Sequence, residues 1–264
     1  MKKVFGIPSW LPDDEPDRTQ RAERINRLFK QLNDLWPDID ILVIAQNWQD
    51  FEPIETKNKQ IILKYEPLGI LKARQILREE FLKRDYDYII MFDDDAIIKC
   101  DNDHVHLDYM AEIDKHPNGF CFIHGGKTKY DDYKSAQLNL CAISRFIYEK
   151  ENIPNLDPQK SEAYEDTVYA CLLHYKYSQY EFLPPKGITH TQFKNSKAPV
   201  KSTWAGGTEE EKISWGYLMD NTNMLKDYIM ANKDLPADYR SRLRKKHKSP
   251  EKTYMGRDNT FLYF

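Results

Sequence analysis

Cysteine is scarce in this sequence of 264 residues, and none of the four cysteines lies in a CxxC pair or near histidines at zinc-binding spacing. This excludes the common cysteine-based zinc sites and predicts reduced, mostly buried thiols in a reducing compartment. Long apolar runs are also missing, since no stretch approaches the ~18 uninterrupted apolar residues of a membrane-spanning helix. The opening "MKKVFGIPSWLPDDEPD" turns acidic too soon for a signal peptide. We therefore expect a cytoplasmic protein.

A strong net charge is absent as well. The formal net charge is −3, so the composition as a whole does not point to a polyanionic partner. No internal repeat and no clear linker divide the chain, and its length suits one large domain or two small ones. We assign residues 1–234 to one domain and residues 235–264 to a small, basic C-terminal appendage.

Strand and helix patterns alternate through the first hundred residues. Continuous apolar runs predict strands at "KKVFGIP", "IDILVIAQ", "KQIILKY" and "DYIIMF". Apolar residues at helical spacing predict helices over 17–36, with Asp17 as the N-cap, and over 68–84. Strands that are apolar along their whole length and joined by helices indicate a parallel sheet covered on both faces. We therefore predict an α/β fold with a Rossmann-like, mostly parallel sheet flanked by helices.

The second half of the sequence is less regular. Strands are predicted at "GFCFIHGG", "AQLNLCAIS" and "YEFLPP", and a helix with acidic residues in its first turn is predicted at "SEAYEDTVYACLLHY". From residue 194 onward, polar and glycine-containing sequence dominates.

Three adjacent aspartates, Asp93, Asp94 and Asp95, follow the strand predicted at "DYIIMF". In an extended segment Asp93 and Asp95 project to one side and Asp94 to the other. Two carboxylates held close together repel each other, and a divalent cation removes that repulsion. Oxygen ligands suit Mg²⁺ or Mn²⁺, which usually keeps positions open for substrate phosphates. A solvated acidic turn is the alternative, but in parallel sheets ligands bind beyond the carboxyl ends of the strands.

The stretch "LGILKARQILREEFLKRDYDYIIMFDDDAII" resembles the donor site of GT-A-fold glycosyltransferases of the family-2 type. In that fold an alanine–arginine pair opens a helix, here Ala73 and Arg74, and the next strand ends in an Asp-x-Asp motif. "SEAYEDTVYACLL" resembles the Glu–Asp motif of inverting members, and "GITHTQF" resembles the late strand that supplies a metal-binding histidine. The resemblance covers roughly residues 3–193. It divides the domain into a nucleotide-binding half, 1–100, and an acceptor half, 101–234.

The resemblance implies a role for each matching residue. Asp95 and His190 would ligate Mn²⁺ or Mg²⁺, and Asp93 would bind the metal through water or the ribose of the donor. Arg74 would steady the diphosphate or the aspartates. The remaining positions would contact the nucleotide-sugar, namely Pro8, Ser9, Gln46 and Asp94. Asp166, preceded by Glu165, would be the base that deprotonates the acceptor hydroxyl.

Two positions depart from the family pattern. Gln46 and Asn47 stand where an acidic residue often reads the uracil base, although an amide can also pair with a base edge. No arginine stands at Leu172, Leu173 or His174, where a later helix motif would carry one. A UDP-sugar remains the expected donor and inversion the expected stereochemistry.

Residues 240–252 carry seven lysines and arginines against one acid. Three interpretations stay open: a solvated tail, contact with an anionic membrane surface, and contact with a nucleic-acid backbone. The expected acceptor is accordingly a surface glycan or lipid-linked saccharide, and a modified base in DNA is the alternative. The protein would then be cytoplasmic or peripheral to a membrane.

Three rival classes share some of these features. Aspartyl phosphatases have an Asp-x-Asp after a strand, but near the N-terminus and followed by Thr or Val rather than Ala96 and Ile97. Nucleotidyltransferases carry a glycine-rich phosphate loop after the first strand, and this sequence has none there. A non-catalytic carbohydrate- or nucleic-acid-binding module would be favoured by loss of Asp95 or Asp166, and both are present.

Overall fold

A computed structural model describes residues 1–122, 140–152, 169, 173 and 176–192. The strands and helices within these residues are β1 (Lys3–Trp10), α1 (Asp17–Leu35), β2 (Asp40–Gln46), β3 (Gln60–Tyr65), α2 (Ile70–Leu82), β4 (Tyr88–Met91), β5 (Ala96–Cys100), α3 (Val105–Lys115), β6 (Phe120–Cys121), β7 (Cys141–Ser144), α4 (Arg145–Lys150) and β8 (Ile188–Gln192). A short 3₁₀ helix spans Ser178–Tyr180.

Six of the strands form one sheet in the order β3-β2-β1-β4-β7-β6. Strands β3, β2, β1 and β4 run parallel, and β7 and β6 are antiparallel to their neighbours. The fold class predicted from the sequence, a mostly parallel α/β sheet, is confirmed. The first strand of the sheet, β1, lies between β2 and β4 and is parallel to both. The carboxyl ends of these three strands therefore meet at the same edge of the sheet.

Side chains alternate between the two faces of this sheet, and each face has its own apolar core. Phe5 and Ile7 of β1 face the core formed with α1 and α3, whereas Val4 faces the core formed with α2 and α4. Because period-2 alternation places apolar residues on both faces, the strands are apolar along their whole length. The sheet is therefore the middle layer between two layers of helices.

The helices follow their predicted apolar spacing. In α1 the apolar residues buried against the sheet are Ile25, Leu28, Phe29 and Leu32. The N-cap prediction was wrong, because Asp17 is the first helical residue and Pro16 occupies the cap position without a side-chain hydrogen bond. Asp17 instead lies in the first turn, where its charge suits the helix dipole.

A close approach fixes the position of α2. A Cβ atom built on Gly6 of β1 would lie 2.5 Å from Ile89 Cδ1 and 3.1 Å from Leu77 Cδ2 of α2. Glycine at this position lets the side chains of the neighbouring strand and helix pack directly over the β1 backbone.

A second sheet has two antiparallel strands, β5 and β8. The sequence patterns did not predict β5, α3 or α4. The strand predicted at "YEFLPP" is wrong, since this segment forms only an isolated bridge between Phe120 and Glu181. Cys100, Cys121 and Cys141 are free thiols, and the last two are buried. In the part of the chain described here, no helix is long and apolar enough to cross a membrane.

Candidate active site

The three aspartates form a turn at the carboxyl end of β4. The Ala96 N–H donates to the Asp93 carbonyl (3.0 Å), and this bond closes a four-residue turn from which β5 starts directly. Just before the turn, the Phe92 N–H donates to the Gly6 carbonyl (2.9 Å) and ties the turn to β1. The prediction that the three aspartates lie in an extended segment is therefore wrong. The direction of each carboxylate follows from its hydrogen-bond and ion-pair partners rather than from the alternation of side chains along a strand.

Asp94 points inward and is fully paired. Its side chain is 1% exposed, and its Oδ2 accepts from the Ser9 hydroxyl (2.6 Å) and from the Trp10 N–H (3.2 Å). Its Oδ1 accepts from Arg21 Nη2. Ser9 and Asp94 were both predicted to contact the nucleotide-sugar, but their polar atoms face each other. Together they fix the turn to the end of β1.

Asp93 is paired with the arginine that the sequence singled out. Arg74 Nη2 donates to Asp93 Oδ1 at 2.9 Å, and the Arg74 side chain is 4% exposed. Of the two roles predicted for Arg74, its position supports steadying the aspartates. A buried arginine on α2 thus offsets one carboxylate and holds the first residue of the turn.

Asp95 is the least compensated of the three. Its side chain is 17% exposed, its ion pair is with Arg21 Nη1 at 3.9 Å, and it accepts no hydrogen bond from the residues described. Burial, together with the neighbouring carboxylates of Asp94 and Asp93, raises the pKa of Asp95 to about 6 against the opposing effect of Arg21. The shift arises mainly because burial disfavours the ionised carboxylate, and the charge of Arg21 offsets this only in part.

Arg21 and Arg24 on α1 were missed in the sequence. Arg21 touches two of the three aspartates. Arg24 is 4% exposed, and its pKa is lowered by burial and by the nearby Arg21. The sequence contains a signal for Arg21, because this residue continues the apolar stripe of Ile25, Leu28 and Leu32 toward the start of the helix. A charged residue on an apolar stripe needs a buried partner of opposite sign.

His190 lies on β8, opposite Ile98 of β5. Directly opposite residues of an antiparallel pair place their side chains on the same face, and Ile98 belongs to the core cluster beneath α1 and α3. His190 is 1% exposed. No three His, Cys, Asp or Glu side chains are grouped as a metal site within the described ranges. The predicted trio of Asp93, Asp95 and His190 is therefore not assembled among them.

The two outer aspartates nevertheless suit a hard divalent cation. Asp93 and Asp95 are 22% and 17% exposed, so both can be reached from solvent, whereas Asp94 cannot. The raised pKa of Asp95 comes mainly from burial, which the charge of Arg21 offsets only in part. Mg²⁺ and similar ions are commonly held by one or two protein carboxylates, with substrate phosphates and water completing the shell. The residues present fit such an ion with two ligands.

Gln46 and Pro8 lie at the same edge of the sheet. Gln46 is 3% exposed. Its Oε1 accepts from the Leu68 N–H (2.7 Å), and its Nε2 donates to the Ser9 carbonyl (3.5 Å). These bonds tie the end of β2 to β1 and to the segment before α2. Pro8 is buried two residues past Gly6, the last β1 residue paired with β4, so its missing N–H breaks no pair in that ladder.

The predicted base Asp166 and its neighbour Glu165 lie outside the described residues, as does the basic run at 240–252. His104 and His106, which alternate in "DNDHVH", are placed at the start of α3. His106 packs edge-on against Trp36, with ring centroids 5.9 Å apart. It therefore belongs to the face of the sheet that α1 and α3 cover, rather than to the aspartate turn.

No protein-family model and no curated protein sequence matches the chain. Solved structures that are similar to it include A197 from STIV, at 15% identity and a TM-score of 0.41, with 74% of this chain and 87% of that chain covered. A glycosyltransferase involved in the glycosylation of the major capsid of PBCV-1 is similar at 12% identity and a TM-score of 0.44, covering 81% of this chain and 100% of that chain.

HddC from Yersinia pseudotuberculosis, solved in complex with GMP-PN, is similar at 12% identity and a TM-score of 0.40, with 73% of this chain and 93% of that chain covered. Similarities at these levels carry no conclusion about activity, which rests on the residues of the site.

Proposed function

We propose that the protein is a metal-dependent glycosyltransferase that moves a sugar from a nucleotide-diphosphate sugar to a hydroxyl acceptor. One observation carries the proposal. Asp95 lies at the open edge of a mostly parallel sheet, beside Asp93, and accepts no hydrogen bond from the described residues. Ligands of open α/β sheets bind at this edge. A carboxylate in that place that accepts no hydrogen bond from the described residues is suited to hold a cation and, through it, phosphates.

The chemistry of the proposed reaction requires some carboxylates to hold a cation and other groups to hold the turn in place. The leaving group is a nucleoside diphosphate, and a bound divalent cation offsets the negative charge that it gains. Asp95 and Asp93 would hold the cation. Asp94 and Arg74 would keep the turn in place, since both are buried and paired. The site needs this rigidity because an error of about 1 Å in placing a reacting group can cost about a hundredfold in rate.

The second half of the reaction is activation of the acceptor. A sugar hydroxyl is a poor nucleophile, and a carboxylate within hydrogen-bond reach helps by taking its proton. The resemblance assigns this role to Asp166, with Glu165 beside it. Asp166→Asn is expected to abolish transfer and to leave donor binding unchanged. Transfer at the wild-type rate would remove Asp166 from the mechanism.

We extend the proposal to the partners of the reaction. The donor is a UDP-sugar, the reaction inverts the anomeric centre, and the acceptor is a surface glycan or a lipid-linked saccharide. These choices are supported by the sequence resemblance and by the basic run at 240–252. A DNA acceptor is the alternative, and an assay with both acceptor types distinguishes them.

The test is calorimetry of UDP, GDP and their sugars with Mn²⁺ and with EDTA. Binding is expected only with Mn²⁺, and Asp95→Asn is expected to remove it. Asp103→Asn is the matched control, since Asp103 is an exposed aspartate before α3. Donor binding that is equally tight in EDTA would contradict the proposal. Release of pyrophosphate from a nucleoside triphosphate and a sugar phosphate would instead assign nucleotidyl transfer.

A further inference from the structure

Arg21 reaches two of the three aspartates from α1. Its Nη2 contacts Asp94 Oδ1, and its Nη1 lies 3.9 Å from Asp95 Oδ2. The guanidinium therefore bridges a carboxylate that is fully buried and one that is partly exposed.

The two ends of this bridge are unequal. Asp94 is 1% exposed and is held by Ser9 and by the Trp10 backbone as well as by Arg21. Leaving a buried carboxylate without its cation is strongly unfavourable, so Asp94 anchors the guanidinium. Among the described residues, Asp95 has only the longer contact with Arg21, which a stronger cation can replace. Asp94 thus fixes the position of Arg21, and the positive charge of the guanidinium then acts on the Asp95 carboxylate.

A guanidinium in this position opposes a divalent cation. Two positive charges close to one carboxylate repel each other, and in a partly buried site the repulsion is weakly screened. We propose that Arg21 competes with the divalent cation for Asp95 and so keeps the cation weakly bound until an anionic diphosphate joins it. This inference rests on the proposed metal site and adds a positioning residue that the sequence resemblance does not contain.

The competition couples two ligands. A diphosphate supplies negative charge that offsets both the cation and Arg21, so each ligand strengthens the binding of the other. By linkage the factor is the same in both directions. The site would therefore stay largely free of metal in the absence of donor.

The test measures Mn²⁺ binding to the full chain by the electron-spin-resonance signal of free Mn²⁺. Arg21→Gln is expected to lower the Kd for Mn²⁺ alone by about tenfold or more, because it removes a charge close to the ligand. Arg21→Lys keeps a charge and is expected to bind like the wild type. Arg84→Gln is the control, since Arg84 pairs with Glu80 at the far end of α2.

The expected increase in Mn²⁺ affinity is a result that a merely structural role of Arg21 would not give, because loss of structure weakens metal binding. Equal or weaker Mn²⁺ binding by Arg21→Gln would overturn the inference, while a loss of binding in Asp95→Asn would still support the proposed metal site. Binding by neither the wild type nor Arg21→Gln would overturn both. Inorganic pyrophosphate is expected to strengthen Mn²⁺ binding by a larger factor in the wild type than in Arg21→Gln, and equal factors would refute the coupling.

Arg21→Gln leaves the buried Asp94 without its cation and can impair folding. The double variant Arg21→Gln with Asp94→Asn replaces the ion pair by two amides and keeps an oxygen that can accept from Ser9 and Trp10. Relative to Asp94→Asn alone, it is expected to show the gain in Mn²⁺ affinity, because these two variants differ only in the Arg21 charge. Its thermal unfolding transition, measured without metal, verifies that it is folded, and a folded double variant that binds Mn²⁺ no better than Asp94→Asn would refute the inference.

Discussion

Replacing Asp95 by asparagine should stabilise the protein in the absence of metal. Burial raises the pKa of Asp95 from 3.8 to about 6, so the folded state binds this proton more tightly than the unfolded chain does. The free energy of unfolding must then fall as pH rises from about 4 to about 6, because the folded protein has to ionise a carboxyl that it holds better as the acid. Asparagine resembles that neutral acid in shape and does not ionise.

The magnitude follows from the two pKa values. Above about pH 7 their difference corresponds to about 3 kcal/mol, and near pH 4.5 the same linkage leaves about 1 kcal/mol. The variant should therefore exceed the wild type by about 3 kcal/mol near pH 8 and by about 1 kcal/mol near pH 4.5. A buried carboxylate held in this way lowers stability, as groups in functional sites commonly do.

The assay is urea-induced unfolding, followed by tryptophan fluorescence in EDTA at both pH values. Asp103→Asn is the control for removing a carboxyl of the same chemistry from an exposed position. Adding Mn²⁺ at a concentration above its Kd should narrow the gap, because a ligand that binds only the folded wild type stabilises it by mass action. The reasoning is refuted if Asp95→Asn is no more stable than the wild type near pH 8, or if its advantage does not grow with pH.

Three further substitutions test the supports of the site, each by the free energy of unfolding in urea. Ser9→Ala removes the 2.6 Å donor of the buried Asp94 carboxylate and should cost about 1–3 kcal/mol; an unchanged value would mean that the turn is held without it. Gly6→Ala forces a methyl group within 2.5 Å of Ile89 and should cost about 1–3 kcal/mol, whereas a gain in stability would contradict the packing described. Gln31→Ala removes two hydrogen bonds, both 3.2 Å, to the β5 backbone and should cost about 1–2 kcal/mol; no loss would show that β5 is held without them.

The sequence predicted the main sheet because its strands are buried on both faces. Runs such as Ile41–Ala45 are apolar at every position and fully buried, so their type and length could be read directly. The later elements have weaker patterns. Helix α3 buries only Val105, Tyr109 and Ile113, one residue per turn, between polar neighbours. Strand β5 is short and follows three charges, so a pattern of apolar residues did not separate it from a loop.

The site was predicted in part for a similar reason. The aspartates could be placed because they follow an obvious strand. Arg74 could be placed because it belongs to the alanine–arginine pair that resembles the donor-site motif. The direction of each carboxylate could not be predicted, since it depends on a backbone bond that closes the turn from Asp93 to Ala96. Arg21 lies 73 residues from Asp94, and a pairing over that distance leaves no trace in local periodicity.

The aspartate turn joins two sheets, because β4 ends before it in the six-stranded sheet and β5 begins after it in the two-stranded one. Its anchors come from β1, α1 and α2. A graft of Asp93–Asp95 onto another parallel sheet would therefore carry the charges without the geometry. The transferable unit in protein design is the turn with Ser9, Arg21 and Arg74, and the strand pair that receives the chain beyond it.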